Sequence, residues 1–109
     1  MKKLKFDKSL VQLVLSGEKT STWRLFDDKT LSVGDALSLL KFGEDEPFGT
    51  ARIIRVVEKF FKELAQQDKY GHESFATDVE MYETYSRYYK TSVGPDTVVK
   101  IIWFELVKP

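Results

Sequence analysis

Gly17-Glu18-Lys19-Thr20-Ser21-Thr22-Trp23-Arg24 places two cations, three hydroxyls and an indole within eight residues. On a strand, Thr20, Thr22 and Arg24 point to one face and Ser21 and Trp23 to the other. If Trp23 faces a core, the threonine hydroxyls and the Arg24 guanidinium line one surface together, and a pocket would centre on this segment. Lys19 stands one step outside that strand and reaches Thr22 only where the turn after Gly17 bends it there. The same residues also fit a plain strand of β-branched positions with solvated charges at its ends. The residue pattern alone leaves both readings open.

Two further groups carry polar or aromatic chemistry. The loop 68–74 holds His72 and Glu73, and His72 is the one histidine of the chain. A lone loop histidine is either a structural residue or a proton carrier. Tyr82, Tyr85 and Tyr89 share one face of a helical pattern with Met81, and Tyr88 adjoins them. Such spacing predicts a core-packing stripe, with base stacking as the alternative. The chain contains no cysteine, which excludes a disulfide framework, a thiolate metal site and a cysteine nucleophile together. With a single histidine, a zinc site is not expected, and no cofactor is implied.

The elements that must position these groups are legible from periodicity. Asp7 stands where an N-cap belongs, ahead of Leu10, Val11, Leu13 and Val14, and Gly17 fits the left-handed position that ends a helix. A helix is expected over 8–16, after a short opening strand at 4–6. Strands are expected over 20–25, 36–42, 48–60 and 97–107, the third long and apolar enough to be central and bulged. A polar turn occupies 26–30, the turn Leu31-Ser32-Val33-Gly34-Asp35 leads into the second of those strands, and an acidic hairpin loop covers 43–47. A short helical pattern lies at 61–67. A longer helix runs from Thr77 or Asp78 to about Lys90, with Glu80, Glu83 and Arg87 toward water, and Gly94-Pro95 breaks the chain after it. Strands and helices do not alternate as a parallel sheet requires. The reading is an α+β domain in which five or six mostly antiparallel strands curl into a small barrel.

The pattern Gly17-x-Lys19-Thr20-x-Thr22-x-Arg24 at a helix-to-strand junction resembles the signature of ASCH domains, small β-barrels related to the PUA fold. The Val33-Gly34-Asp35 turn, the Gly49-Thr50-Ala51 strand, the helical region at Glu63-Leu64 and the closing strand at 98–107 extend the likeness over nearly the whole chain. The resemblance implies a PUA-like barrel with two to three helices and an interaction with RNA. It also implies, for one bacterial branch, deacetylation of an N-acetylated cytidine by a lysine, a threonine and a glutamate. By position these would be Lys19, Thr22 and Glu73, with His72 one residue away from the glutamate position. Thr20, Trp23, Arg24 and His72 would then contact the substrate or RNA, Arg24 by holding an anion. A threonine hydroxyl is a poor nucleophile until a base removes its proton, and in the role this resemblance implies Lys19 is that base only when neutral. Burial beside Arg24 lowers its pKa in that direction, whereas a glutamate close to it favours the ammonium form. Trp23 stands where that branch has a smaller residue, and the tyrosine-rich helix is longer here.

Length and composition bound the rest. A chain of 109 residues, 42% hydrophobic, has room for one domain, and no internal linker or repeat divides it. Seventeen basic and seventeen acidic side chains cancel. A neutral chain lacks the positive surplus of a non-specific duplex binder, which argues against duplex DNA, weakens extended RNA binding and is compatible with a small substrate; RNA or a small nucleoside is the partner that the resemblance implies. No apolar run approaches the roughly 20 residues of a membrane helix, and Asp7 and Lys8 interrupt the basic start before any signal-type apolar stretch. The expectation is a cytoplasmic protein with no membrane partner, as a monomer or weak oligomer, with a non-catalytic regulatory or scaffold domain without ligand as a further alternative to the binder and the hydrolase. Asparagine is absent and 31% of residues are charged, a composition seen in heat-adapted proteins.

Overall fold

The structure is a computed structural model that describes residues 1–27 and 29–107. Strand β1 (Lys2–Phe6) leads into helix α1 (Lys8–Ser16). The Asp7 carboxylate caps the helix by accepting from the Ser9 amide, and Gly17 closes it at φ 84°, a backbone state open to glycine at no steric cost. Strands β2 (Ser21–Arg24), β3 (Ala36–Lys41) and β4 (Pro47–Phe60) follow. Of the turn expected at 26–30, Asp28 lies outside the described residues. The helical pattern at 61–67 resolves into two 3₁₀ turns, Phe61–Glu63 and Gln66–Lys69. Helix α2 (Asp78–Tyr89), capped by the Thr77 hydroxyl, precedes the closing strand β5 (Val98–Leu106).

The five strands form one curled sheet, a half-barrel, in the order β1-β3-β4-β5-β2. Three of its pairings are antiparallel and β1 runs parallel to β3. The bulge expected in the long strand falls at Ile54, where the register with β5 shifts between Ile53 and Arg55. That bend lets β4 serve both ends of the fold. One core gathers Leu4, Phe6, Val14, Leu37, Leu39, Ile53 and Phe104 beneath α1, and a second gathers Trp23, Phe61, Met81, Tyr85, Val99 and Ile101 beneath α2. As the helical spacing predicts, Tyr85 is buried, Tyr82 and Tyr89 are half-buried, and Glu80, Glu83 and Arg87 are exposed.

The ladder stops at β1 and β2, which are the two edges of the sheet. Side chains span the gap between them. Arg24 on β2 donates from Nη2 to the Lys5 carbonyl of β1 at 3.0 Å, and from the turn that follows β2, Lys29 Nζ donates to the Lys3 carbonyl of β1 at 2.6 Å. The candidate site opens at this seam.

Candidate functional site

Two short segments, more than forty residues apart in sequence, build the floor. The turn after Gly17 does bend Lys19 inward, and its side chain is only 3% exposed. The loop that carries His72 and Glu73 is tied to the start of β2 by its own backbone. The Gly71 carbonyl accepts from the amides of both Thr20 and Ser21, at 2.9 and 3.2 Å. Gly71 has φ +79°, and a Cβ there would lie 2.0 Å from Thr20 Oγ1, so only glycine lets the loop approach this closely. The result is a charge-assisted contact of 2.7 Å between Lys19 Nζ and Glu73 Oε2.

Thr22 and Arg24 share a face of β2, as the alternation predicts. Arg24 Nη1 donates to Thr22 Oγ1 at 2.7 Å and to the Trp23 carbonyl at 3.0 Å. Because Thr22 accepts from Arg24, its own hydroxyl proton is left for another acceptor. No hydrogen bond joins Lys19 to Thr22 among the described residues. The Trp23 indole is buried in the second core and stacks on His72 with ring centroids 4.0 Å apart. Its Nε1 is the one buried side-chain nitrogen without a partner among the described residues. Thr20 packs on Gly71 and is not part of the cavity wall.

Lys19, Thr22, Trp23, Arg24, His72 and Glu73 all line one cavity of about 470 Å³. Sequence reasoning missed several other parts of the wall. Tyr85, Tyr88 and Tyr89 of α2 supply one side, and Phe6 and Phe42 supply aromatic surface from β1 and the end of β3. Lys5 and Arg87 stand at it as exposed cations. The tyrosine stripe was a visible signal, since one helix face both packs the core and lines the opening. Phe42 gave none, because its place depends on the parallel pairing of β1 with β3.

Electrostatics follow from burial. Desolvation pushes the Lys19 pKa down, Glu73 opposes it, and the net shift is downward. Burial raises the Glu73 carboxyl, but His72 and Lys19 together outweigh it and leave the carboxyl below its ordinary value. Burial, aided by the Lys19 charge, lowers His72 to about 4, so its ring is neutral at neutral pH. The Glu73 carbonyl can only accept, so His72 Nδ1, at 2.8 Å, carries the proton. Nε2 then accepts from the Tyr85 hydroxyl at 3.3 Å. Glu73 is thus fixed at its main chain by His72 and at its carboxylate by Lys19.

This geometry can be set beside known proteins. No family model and no curated protein matches the sequence. Among solved structures, a protein from Enterococcus faecalis superposes at TM-score 0.75 with 22% identity, over 91% of this chain and 70% of that one. The ASCH domain from Lactobacillus crispatus superposes at TM-score 0.70 with 13% identity, over 90% of this chain and 70% of that one. The chain has the ASCH fold. ASCH from Zymomonas mobilis adds a third likeness, at TM-score 0.62, 13% identity and 94% of this chain over 65% of that one. At such identities the likeness is one of fold, and function in an ASCH-fold protein has to be argued from its own site.

Proposed function

We propose that this ASCH-fold protein binds a small modified nucleoside, with the base held between the aromatic walls and read by the Lys19–Glu73 pair. The observation that carries this reading is that pair, one member almost wholly buried, on the floor of a cavity with tyrosine and phenylalanine walls. About 470 Å³ falls within the roughly 300–1,000 Å³ of small-molecule sites. An ammonium next to a carboxylate offers a donor and an acceptor together, which is what the edge of a pyrimidine requires. The zero net charge fits a small ligand better than an extended RNA.

A second reading, hydrolysis of an N-acylated cytidine, is favoured by Thr22 and Lys19 lying in the same cavity. Thr22 Oγ1 would attack the acyl carbon while Lys19 takes the hydroxyl proton. The amine would leave with that proton, and water would then release the acyl group from Thr22. The 2.7 Å contact with Glu73 holds Lys19 as an ammonium, so this route requires the substrate to draw the carboxylate away.

Calorimetric titration with cytidine and acetylcytidine, with acetate release followed in parallel, tests both. The binding reading expects saturable binding of at least one nucleoside, weakened by Glu73→Gln. The hydrolytic reading expects turnover that Thr22→Ala lowers by about 10² or more, with a rate that rises with pH below the roughly 10.4 of free lysine. Binding without turnover across that range retires hydrolysis. Absence of binding at millimolar nucleoside, with or without a phosphate, retires the site.

A further inference from the structure

We infer that the ligand carries a phosphate seated on Arg24, so that the cavity takes a nucleoside monophosphate in preference to the neutral nucleoside. The inference rests on the nucleoside reading above and adds the charge of the ligand. Six described cations are withdrawn, partly or wholly, from water: Lys2, Lys19, Arg24, Lys41, Lys59 and Lys100. Five of them make an ion pair, with Asp35, Glu73, Glu44, Asp68 and Asp27 respectively. Arg24 makes none among the described residues. Its acceptors are the Thr22 hydroxyl and the carbonyls of Trp23 and Lys5, all neutral oxygens. The face of Phe6, 5.5 Å from its guanidinium carbon, supplies part of the compensation. The Glu73 and Asp27 carboxylates favour the charged guanidinium only from beyond contact, and a cation taken from water without a contacting counter-charge is destabilising unless something supplies one.

The guanidinium has hydrogen-bonding capacity in reserve. Three of its five N–H groups are engaged, and the remaining two have no acceptor among the described residues. A planar fork with two free N–H groups fits two oxygens of one phosphate. The surroundings agree in sign. On a chain of zero net charge, the cavity wall holds four cations, Lys5, Lys19, Arg24 and Arg87, against two carboxylates. Both carboxylates are already engaged, Glu73 by Lys19 and Asp7 by capping α1. The excess positive charge at the cavity is therefore available to a ligand.

The test is titration of the wild-type chain with cytidine, cytidine 5′-monophosphate, inorganic phosphate and a short single-stranded RNA, each at low and high salt. The monophosphate should bind at least about tenfold tighter than cytidine at low salt, and the advantage should shrink as salt rises. Arg24→Gln should remove most of the difference between the two ligands. If that variant fails to fold, the salt series and the pair Lys5→Gln with Arg87→Gln, which should reduce the same advantage, decide instead. Equal affinity for cytidine and its monophosphate overturns the phosphate seat and leaves the nucleoside site standing. Phosphate alone binding as tightly as the monophosphate, or RNA binding more tightly, overturns the monophosphate assignment. Binding of none of the four removes the nucleoside reading as well.

Discussion

His72 shows how one buried ring links the site to stability. It stacks on Trp23, its side chain is 1% exposed, and both ring nitrogens are engaged, one as donor and one as acceptor. Protonating Nε2 would put a hydrogen against the Tyr85 hydroxyl and a charge near Lys19 and Arg24. The native ring therefore resists a proton down to about pH 4, while the unfolded chain takes it near 6.5. Stability from this group is present above pH 6.5 and is lost as the pH falls toward 4. Between pH 7 and 5 the loss should be about 2 kcal/mol, the integral of that difference in proton uptake. Urea unfolding of His72→Phe should lack most of this loss over the same interval, although the variant starts from lower stability at pH 7. Equal slopes for both proteins would mean that His72 titrates normally. The chain carries no second histidine to confuse the measurement.

At the scale of elements, the site depends on how closely the loop before Glu73 meets the start of β2. Gly71→Ala would combine a positive φ with a Cβ 2.0 Å from Thr20 Oγ1. Left-handed strain costs about 1 kcal/mol for a side chain, and the forced shift of the loop should bring the total to about 2 kcal/mol or more. The same shift pulls Glu73 from Lys19, so nucleoside binding should weaken more than Glu73→Gln alone achieves. Thr20→Ala added to Gly71→Ala removes the nearest atom and should recover part of the stability. A cycle showing no coupling between the two positions would contradict the contact. Local chemistry explains which elements were legible in the sequence. Asp7 and Gly17 mark both ends of α1, Thr77 starts α2, and the apolar run in β4 announces a central, bulged strand. Thr22 and Arg24 share a face because strand alternation is a local rule. The parallel β1–β3 pairing and the place of Phe42 on the wall were not legible, and the approach of Glu73 to Lys19 was implied by the family resemblance and by no local rule. Each depends on contacts between distant segments, which no periodicity records.

At the scale of the whole molecule, the sheet is held unevenly. Strands β3, β4 and β5 have a backbone ladder on both sides, whereas β1 and β2 have one each. Across the seam between those two edges stands Arg24, and beside it Lys29 and Lys2 tie β1 to the turn after β2, Lys2 Nζ donating to the Thr30 carbonyl at 2.8 Å. Side-chain donors on an exposed surface hold strands less firmly than a cooperative ladder, because each must order a long chain and competes with water. Amide hydrogen exchange should therefore be slowest in the centre of β4 and β5 and fastest at the seam-facing amides of β1 and β2. A ligand engaging Arg24, Lys5 and Glu73 would clamp both sides of that seam at once. Any ligand raises the global unfolding free energy by mass action, which slows every amide that exchanges through complete unfolding to the same degree. The seam makes a different prediction. Amides of β1, of β2 and of the loop around Gly71 should gain protection at ligand concentrations well below those needed to slow the centre of β4 further. Protection that rises uniformly, or first in the centre of β4, which has no residue on the cavity wall, would place the ligand elsewhere on the fold.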